Sequence, residues 1–368
     1  MARYIHQLSD WPAFKYDSAF LAMKCSEIDL LRGRLFDRLS FLSEESRQAV
    51  VAESLAEEVI QTSSIEGEEL PPASVRSSIA NRLGITVGGT PAEDRRVEGV
   101  VDIVLDATIR YGEQVDADRL FGWHSLLFPT GFSMGKRITV GEWRNDEDGP
   151  MQVVSSRLVN PQVHFEAPRA DRLPIEMKRL IEWVEQPVSE HPIIKAFIAH
   201  LWFETLHPFD DGNGRVGRAL MELMLARADQ ASLRPYSVTA EFQKHRGKYY
   251  DALEDAQKGA LEITPYLDWC LDHLKSAVEL ALVNVEQASK IGAVRAFWDR
   301  SELTGRQKKS LEKFFQSGGN ITNRSWVKVT GVSRPTAIRD LGELVAKGVL
   351  ESFGEGRSVE YRLNLTPF

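Results

Sequence analysis

A twelve-residue stretch from His207 to Arg218 reads His-Pro-Phe-Asp-Asp-Gly-Asn-Gly-Arg-Val-Gly-Arg and gathers residue types suited to phosphate chemistry. His207 offers an imidazole able to take a hydroxyl proton near neutral pH. Asp211 offers a hard carboxylate oxygen of the kind Mg²⁺ prefers. Gly212, Asn213 and Gly214 let backbone N–H groups converge where a helix begins, and the first four amides of a helix have no partner within it. Such a terminus is an anion site. Arg215 and Arg218 lie three apart in the first turn, where the helix dipole disfavours positive charge, so their placement is costly unless an anion sits beside them. Base, metal ligand, amide cradle and two guanidinium groups are the parts of a phosphoryl or nucleotidyl transfer site.

Two helices must position these groups. Ile194, Phe197, Ile198, Leu201 and Trp202 recur at helical spacing, and that helix stops near His207 because the residue before Pro208 is pushed out of the α region. Val216, Leu220, Leu223 and Met224 begin a second apolar face just beyond the glycine turn. Upstream, a helix capped at Ser43 runs toward Thr62-Ser63-Ser64-Ile65-Glu66-Gly67, which sets a carboxylate at a helix carboxyl end. Glu66 and Arg218 are thus both charges at unfavourable helix ends. Each relieves the other if they meet.

The stretch fits the signature H-x-F-x-[D/E]-G-N-G-R-x-x-R at every fixed position, and on those residues the chain resembles the Fic family. The resemblance implies a mostly α fold with a helical Fic core and β-hairpin flap, an N-terminal helical domain and a C-terminal winged helix-turn-helix. It also implies transfer of AMP from MgATP to a Ser, Thr or Tyr hydroxyl of a protein, the enzyme itself included. By the same resemblance His207 would deprotonate the target hydroxyl, and Asp211 would hold Mg²⁺ against the α- and β-phosphates. Gly212, Asn213, Gly214 and Gly217 would belong to the nucleotide-binding turn, with Arg215 and Arg218 on the outer phosphates. Thr62 to Gly67 fits the family's inhibitory pattern [S/T]-x-x-x-E-[G/N], in which Glu66 would pair with Arg218 and displace the γ-phosphate. Similar proteins pack a tyrosine pair against the base, here Tyr249 and Tyr250, although Ala256-Gln257 stands where many relatives have Ala-Asn. Core packing is the other reading of those rings.

Between Gly131 and Ser155 the helical period fails. Ile138 to Val140, Glu142 to Arg144, the turn Asp146 to Pro150 and then Met151 to Val154 suggest a short hairpin. Fic proteins carry a target-aligning flap here, and Met151, Gln152 and Val153 are the candidate edge for strand addition. His124 suggests a satisfied buried histidine. His200 falls inside an apolar helix and the chain has no H-E-x-x-H spacing, which argues against a metal hydrolase.

Length and composition frame these motifs. The 368 residues suffice for two or three domains, and the expected division is 1–85, 86–288 and 289–368, with Gly88 to Pro91 marking the first border. A hydrophobic fraction of 43% with 27% charge is that of an ordinary globular protein. Two cysteines suggest no disulfide framework, and no apolar run is long enough for a leader or a membrane span. A cytoplasmic protein without membrane contact is expected.

Net charge is −8, yet residues 291–368 hold 13 Lys and Arg against 8 Asp and Glu. There the pattern is helix, helix, turn, helix and hairpin, the winged-helix plan, with Arg334, Thr336 and Arg339 toward a DNA groove and Arg357 on the wing. An excess of +5 is modest, so protein docking or a homodimer contact is the favoured use and DNA the alternative. The rival functions are a nucleotide-sensing DNA-binding regulator and an enzyme that also removes AMP.

Overall fold

The computed structural model describes residues 3–85, 94–147, 149–154, 163–187, 190–354 and 359–365. Helices α1 (Ser18–Ser40), α2 (Glu44–Ile65), α3 (Pro72–Arg82), α4 (Arg95–Ile109) and α5 (Ala117–Leu127) come first. Two small antiparallel pairs follow: β1 (Phe132–Ser133) with β2 (Lys136–Arg137), and β3 (Gln152–Val154) with β4 (Val163–Glu166). Then come α6 (Leu173–Glu185), α7 (Pro192–Leu206), α8 (Asn213–Asp229), α9 (Val238–Lys244), α10 (Arg246–Lys258) and α11 (Thr264–Arg300). The tail holds α12 (Gly305–Ser317), α13 (Asn323–Thr330), α14 (Arg334–Ala346) and the hairpin β5 (Leu350–Phe353) and β6 (Glu360–Leu363). The fold is mostly α.

At the centre lies α7, buried from Ile193 to Leu206. A helix apolar on every face can only be central, and α8 packs along it. Close approach has a specific cause at Gly217, where a methyl group would lie 2.5 Å from Glu204 Oε1 and 3.1 Å from Phe203 Cδ1. Gly217 therefore serves the packing of α8 on α7.

The chain divides into two compact units, 1–37 with 47–283 and 38–46 with 284–368. By compactness residues 1–37 and 47–283 form one unit. Trp11 Nε1 donates to Glu176 Oε2 at 3.0 Å, its ring meets Trp202 edge-on, and Lys15 N donates to Leu261 O at 2.7 Å. The expected border at Gly88 to Pro91 lies outside the described residues, as do Ser155 and Arg357.

The hairpin between 131 and 155 differs from expectation. Ile138 to Val140 form no strand, because their backbone bonds elsewhere: Ile138 N donates to Gly131 O and Thr139 N to Asp210 Oδ2, at 3.1 and 2.8 Å. The partner of β3 is instead β4, in register Gln152 to Glu166 and Val153 to Phe165. Met151 lies just before β3 and accepts from Ala167 N. On α6 Ile175 faces solvent while Met177 and Leu180 face the core.

In the second unit Trp326, Leu311, Phe314, Leu341, Leu344 and Val349 form the core. Ile321 and Tyr361 exchange two backbone hydrogen bonds, tying the segment before α13 to β6. Three helices closed by a hairpin on that edge give the winged-helix order.

Candidate active site

The site is built where α7 ends and α8 begins. His207 takes left-handed backbone angles, φ 47° and ψ 59°, while its N–H still closes the helix on Phe203 O. That conformation is disfavoured for a residue with a Cβ and must be held by its surroundings. Arg144, fully buried, holds it: Nε donates to His207 O at 2.8 Å, Nη2 to Pro168 O at 2.6 Å, and its own N–H to Pro208 O at 2.9 Å. Sequence reading placed Arg144 only in the hairpin. An isolated arginine between aromatic residues and a turn gave no signal of this role.

Asn213 closes the loop from the other side. Its Oδ1 accepts from Phe209 N at 2.9 Å and its Nδ2 donates to Phe209 O at 2.7 Å. Gly212 is the residue before α8, with φ 80°, and a methyl group there would lie 2.8 Å from the Phe128 ring. Beneath the loop His124 stacks on Phe209 at 4.1 Å and its Nε2 donates to Asp211 O at 3.1 Å. Burial lowers its pKa to about 4, so it is the neutral, satisfied histidine expected.

His207 keeps 19% of its side chain exposed. Nδ1 lies 3.4 Å from Glu204 O, which leaves Nε2 as the free nitrogen. Burial, with Arg144 nearby, lowers its pKa to about 4, so the ring is a neutral base at pH 7. Asp211 is 41% exposed on the same loop, receives Ser133 Oγ and its own loop's Gly212 N–H, and lies 4.0 Å from Arg215. Among the described residues no three His, Cys, Asp or Glu gather as a metal cluster. One accessible carboxylate beside an anion cradle fits a cation whose other ligands are phosphate oxygens and water.

Arg218 is 1% exposed, and the end of α2 supplies its closest bonds. Nη2 donates to Glu66 Oε1 at 2.7 Å and to Thr62 O at 2.8 Å, and Nε donates to Thr62 Oγ1 at 2.8 Å. Burial by itself would lower the Arg218 pKa, but Glu66, with Tyr249, Glu204 and Tyr250 around it, together outweigh that and hold it above the ordinary value. A methyl group at Gly214 would collide with Glu66 Oε1, so that carboxylate lies directly over the first turn of α8. Gly67, φ 81°, ends α2 and turns the chain so that Glu68 follows. Glu68 Oε2 then lies 2.9 Å from Arg215 Nη1. Sequence reading did not assign Glu68, although the acidic run Glu66-Gly67-Glu68-Glu69 was there to suggest it.

The two tyrosines separate. Tyr249 is 1% exposed, stacked on Phe242 and bonded to His200 Nε2 at 3.1 Å, which makes it a core residue unable to face a base. Tyr250 is 37% exposed and donates to Ile65 O at 3.1 Å. Met151 and Val153 lie against Tyr4 and Phe165, while Gln152 is exposed. Arg334 and Arg339 are exposed and Thr336 half-buried, all on α14 of the other unit.

Three neutral histidines and one raised glutamate set a pH window for stability. His124, His200 and His207 are lowered by burial to about 4, 3 and 4, so the unfolded chain binds protons that the folded one refuses. Their contribution is lost as pH falls from the ordinary histidine value through 4. Burial pushes Glu204 up to about 8, against the pull of Arg218, and its contribution is lost as pH rises through that value. Tm should therefore peak near neutrality and fall on both sides, more steeply toward acid, where unfolding takes up a net of about two protons. A Tm that rises monotonically toward pH 5 would contradict the buried neutral histidines.

Helix amides and two arginines thus meet beside a neutral histidine, an arrangement suited to an anion. Residues 114–225 match the model of the Fic/DOC family, and residues 4–85 that of a domain of unknown function (DUF4172). The chain carries a Fic-family domain. It is 28% identical over 250 residues to the protein adenylyltransferase Fic of Aedes aegypti, covering 67% of this chain and 46% of that protein. With the protein of the same name from Culex quinquefasciatus it shares 37% identity over 112 residues, 30% of this chain and 21% of the other. The chain thus spans less than half the length of these curated relatives. A Fic family protein from Desulfovibrio desulfuricans has the same fold, with a TM-score of 0.55 and 24% identity over 93% of this chain and 96% of that one.

Proposed function

We propose that the chain transfers AMP from MgATP to a Ser, Thr or Tyr hydroxyl of a protein, and that its own Glu66 restrains the reaction. The observation that carries this reading is the Glu66 carboxylate, which sits over the first turn of α8 and on Arg218, where an outer phosphate would bind. A carboxylate in an anion cradle imitates the ligand it excludes. Glu68 on Arg215 doubles the imitation.

In the reaction the target hydroxyl oxygen would attack the α-phosphorus, pyrophosphate would leave, and the hydroxyl proton would pass to His207 Nε2. Mg²⁺ held at Asp211 would offset the charge gathering on the leaving pyrophosphate. The α8 amides and both arginines would orient the polyphosphate, Arg144 would keep the base in its strained pose, and the Tyr250 ring would lie beside the base. The β3 edge at Met151, Gln152 and Val153 would align an extended target. The names of the two mosquito relatives support the transfer reaction.

Glu68 should act as the weaker of the two restraints, because its partner Arg215 is 10% exposed where Arg218, the partner of Glu66, is 1% exposed. Glu68→Gln is expected to raise transfer by about threefold by itself. A variant slower than wild type would show instead that Glu68 assists the nucleotide.

The test of the whole reading uses ATP labelled at the α-phosphate with wild type, Glu66→Gly and Glu66→Gly/His207→Ala. Label on protein that rises in the first variant and vanishes in the second supports it. ATP binding without label in any of the three would point to a nucleotide sensor.

A further inference from the structure

We propose that the exposed face formed by α13 and α14 binds duplex DNA, with α14 in the major groove. From Lys313 to Arg339 the chain has five basic residues and no acidic one, within a protein of net charge −8. The excess of +5 over the tail is therefore concentrated on its helix-turn-helix.

Folding places these cations outward. Arg324 and Lys328 on α13, and Arg334 and Arg339 on α14, are all exposed. None of the four is ion-paired among the described residues, whereas Arg295 pairs with Glu312, Lys308 with Asp299 and Lys347 with Glu343. The acidic residues of α14 are turned away from this face. Asp340 is buried, accepting from Trp326 Nε1 at 3.2 Å and from Arg306 at 3.0 Å, and Glu343 is held by Lys347. A helix-turn-helix face carrying four exposed cations, none with a carboxylate partner, is suited to a polyanion.

The shape agrees. Gly331, φ 71°, ends α13 and gives the tight turn into α14, whose start is capped by Ser333. Ile338 is 51% exposed between Arg334 and Arg339, and among the described residues of α12 to α14 it is the lone exposed large apolar side chain. A protein-docking face would need an apolar centre rich in aromatic or methionine side chains. One aliphatic side chain flanked by arginines instead suits a thymine methyl group beside guanine edges and phosphates.

The experiment is fluorescence anisotropy of the full chain with a labelled mixed-sequence duplex of about 30 bp. Neutralising about four phosphates should weaken binding by about 10²-fold between 50 and 200 mM salt. Arg334→Glu/Arg339→Glu should lose at least about tenfold in affinity at the lower salt while its melting temperature stays that of wild type. No binding at low salt would overturn the proposal, and so would a double variant that binds DNA as wild type does. A face that captures protein but leaves the duplex free would overturn it equally.

Discussion

Glu66→Gly is expected to raise AMP transfer by about 10²-fold, the largest gain available to any single substitution in the chain. The reason lies in what the carboxylate occupies. Arg218 is buried and has in Glu66 the one carboxylate described within salt-bridge distance, and Glu66 Oε1 also blocks the first turn of α8. A γ-phosphate must displace it or bind elsewhere, and a misplaced polyphosphate loses the in-line geometry on which the rate depends. An ion pair with one buried partner is costly to break, so a factor of 10² corresponds to about 3 kcal/mol of released restraint. A second readout follows. The variant leaves a buried guanidinium without its carboxylate, so it should melt at a lower temperature and regain more stability from ATP than wild type does. Unchanged labelling, with a wild-type response to ATP, would remove Glu66 from any regulatory role.

His207→Ala in the released background is expected to reduce transfer by 10² to 10⁴, roughly the worth of a positioned general base. ATP binding should be nearly unaffected, because the α8 amides and the arginines stay in place. The pH profile should also be distinctive. With the His207 pKa lowered to about 4 by burial, the base is already deprotonated through the neutral range, and the rate should be flat from roughly pH 6 to 8. An acid limb centred at the ordinary histidine value would mean that the ring becomes solvated once Glu66 leaves. Residual activity near that of Glu66→Gly would assign the proton to another group.

Sequence alone determined a good deal. Types and spacing from His207 to Arg218 announced a helix-terminal anion site with a base, since those residues act through the local backbone: a proline stop, a glycine turn and unpaired amides. The dipole argument left Glu66 and Arg218 each in want of a partner, and it was the resemblance to the Fic inhibitory pattern that paired them. Helix existence was legible from apolar periodicity, as at α7 and α8.

Tertiary structure decided the rest. Arg144 gave no sequence signal, since its task is to bond carbonyls sixty residues away, and nothing local marks an arginine for that work. The Tyr249-Tyr250 pair looked uniform, but adjacent helical residues point about 100° apart, so one entered the core and the other faced the cleft. Ile138 to Val140 had strand propensity and formed no strand, because Asp210 satisfied the Thr139 N–H before any neighbour could. Gly217, at a free position of the signature, lets α7 approach α8 closely. Local chemistry is written in neighbouring residues; which distant group completes it depends on how the helices pack.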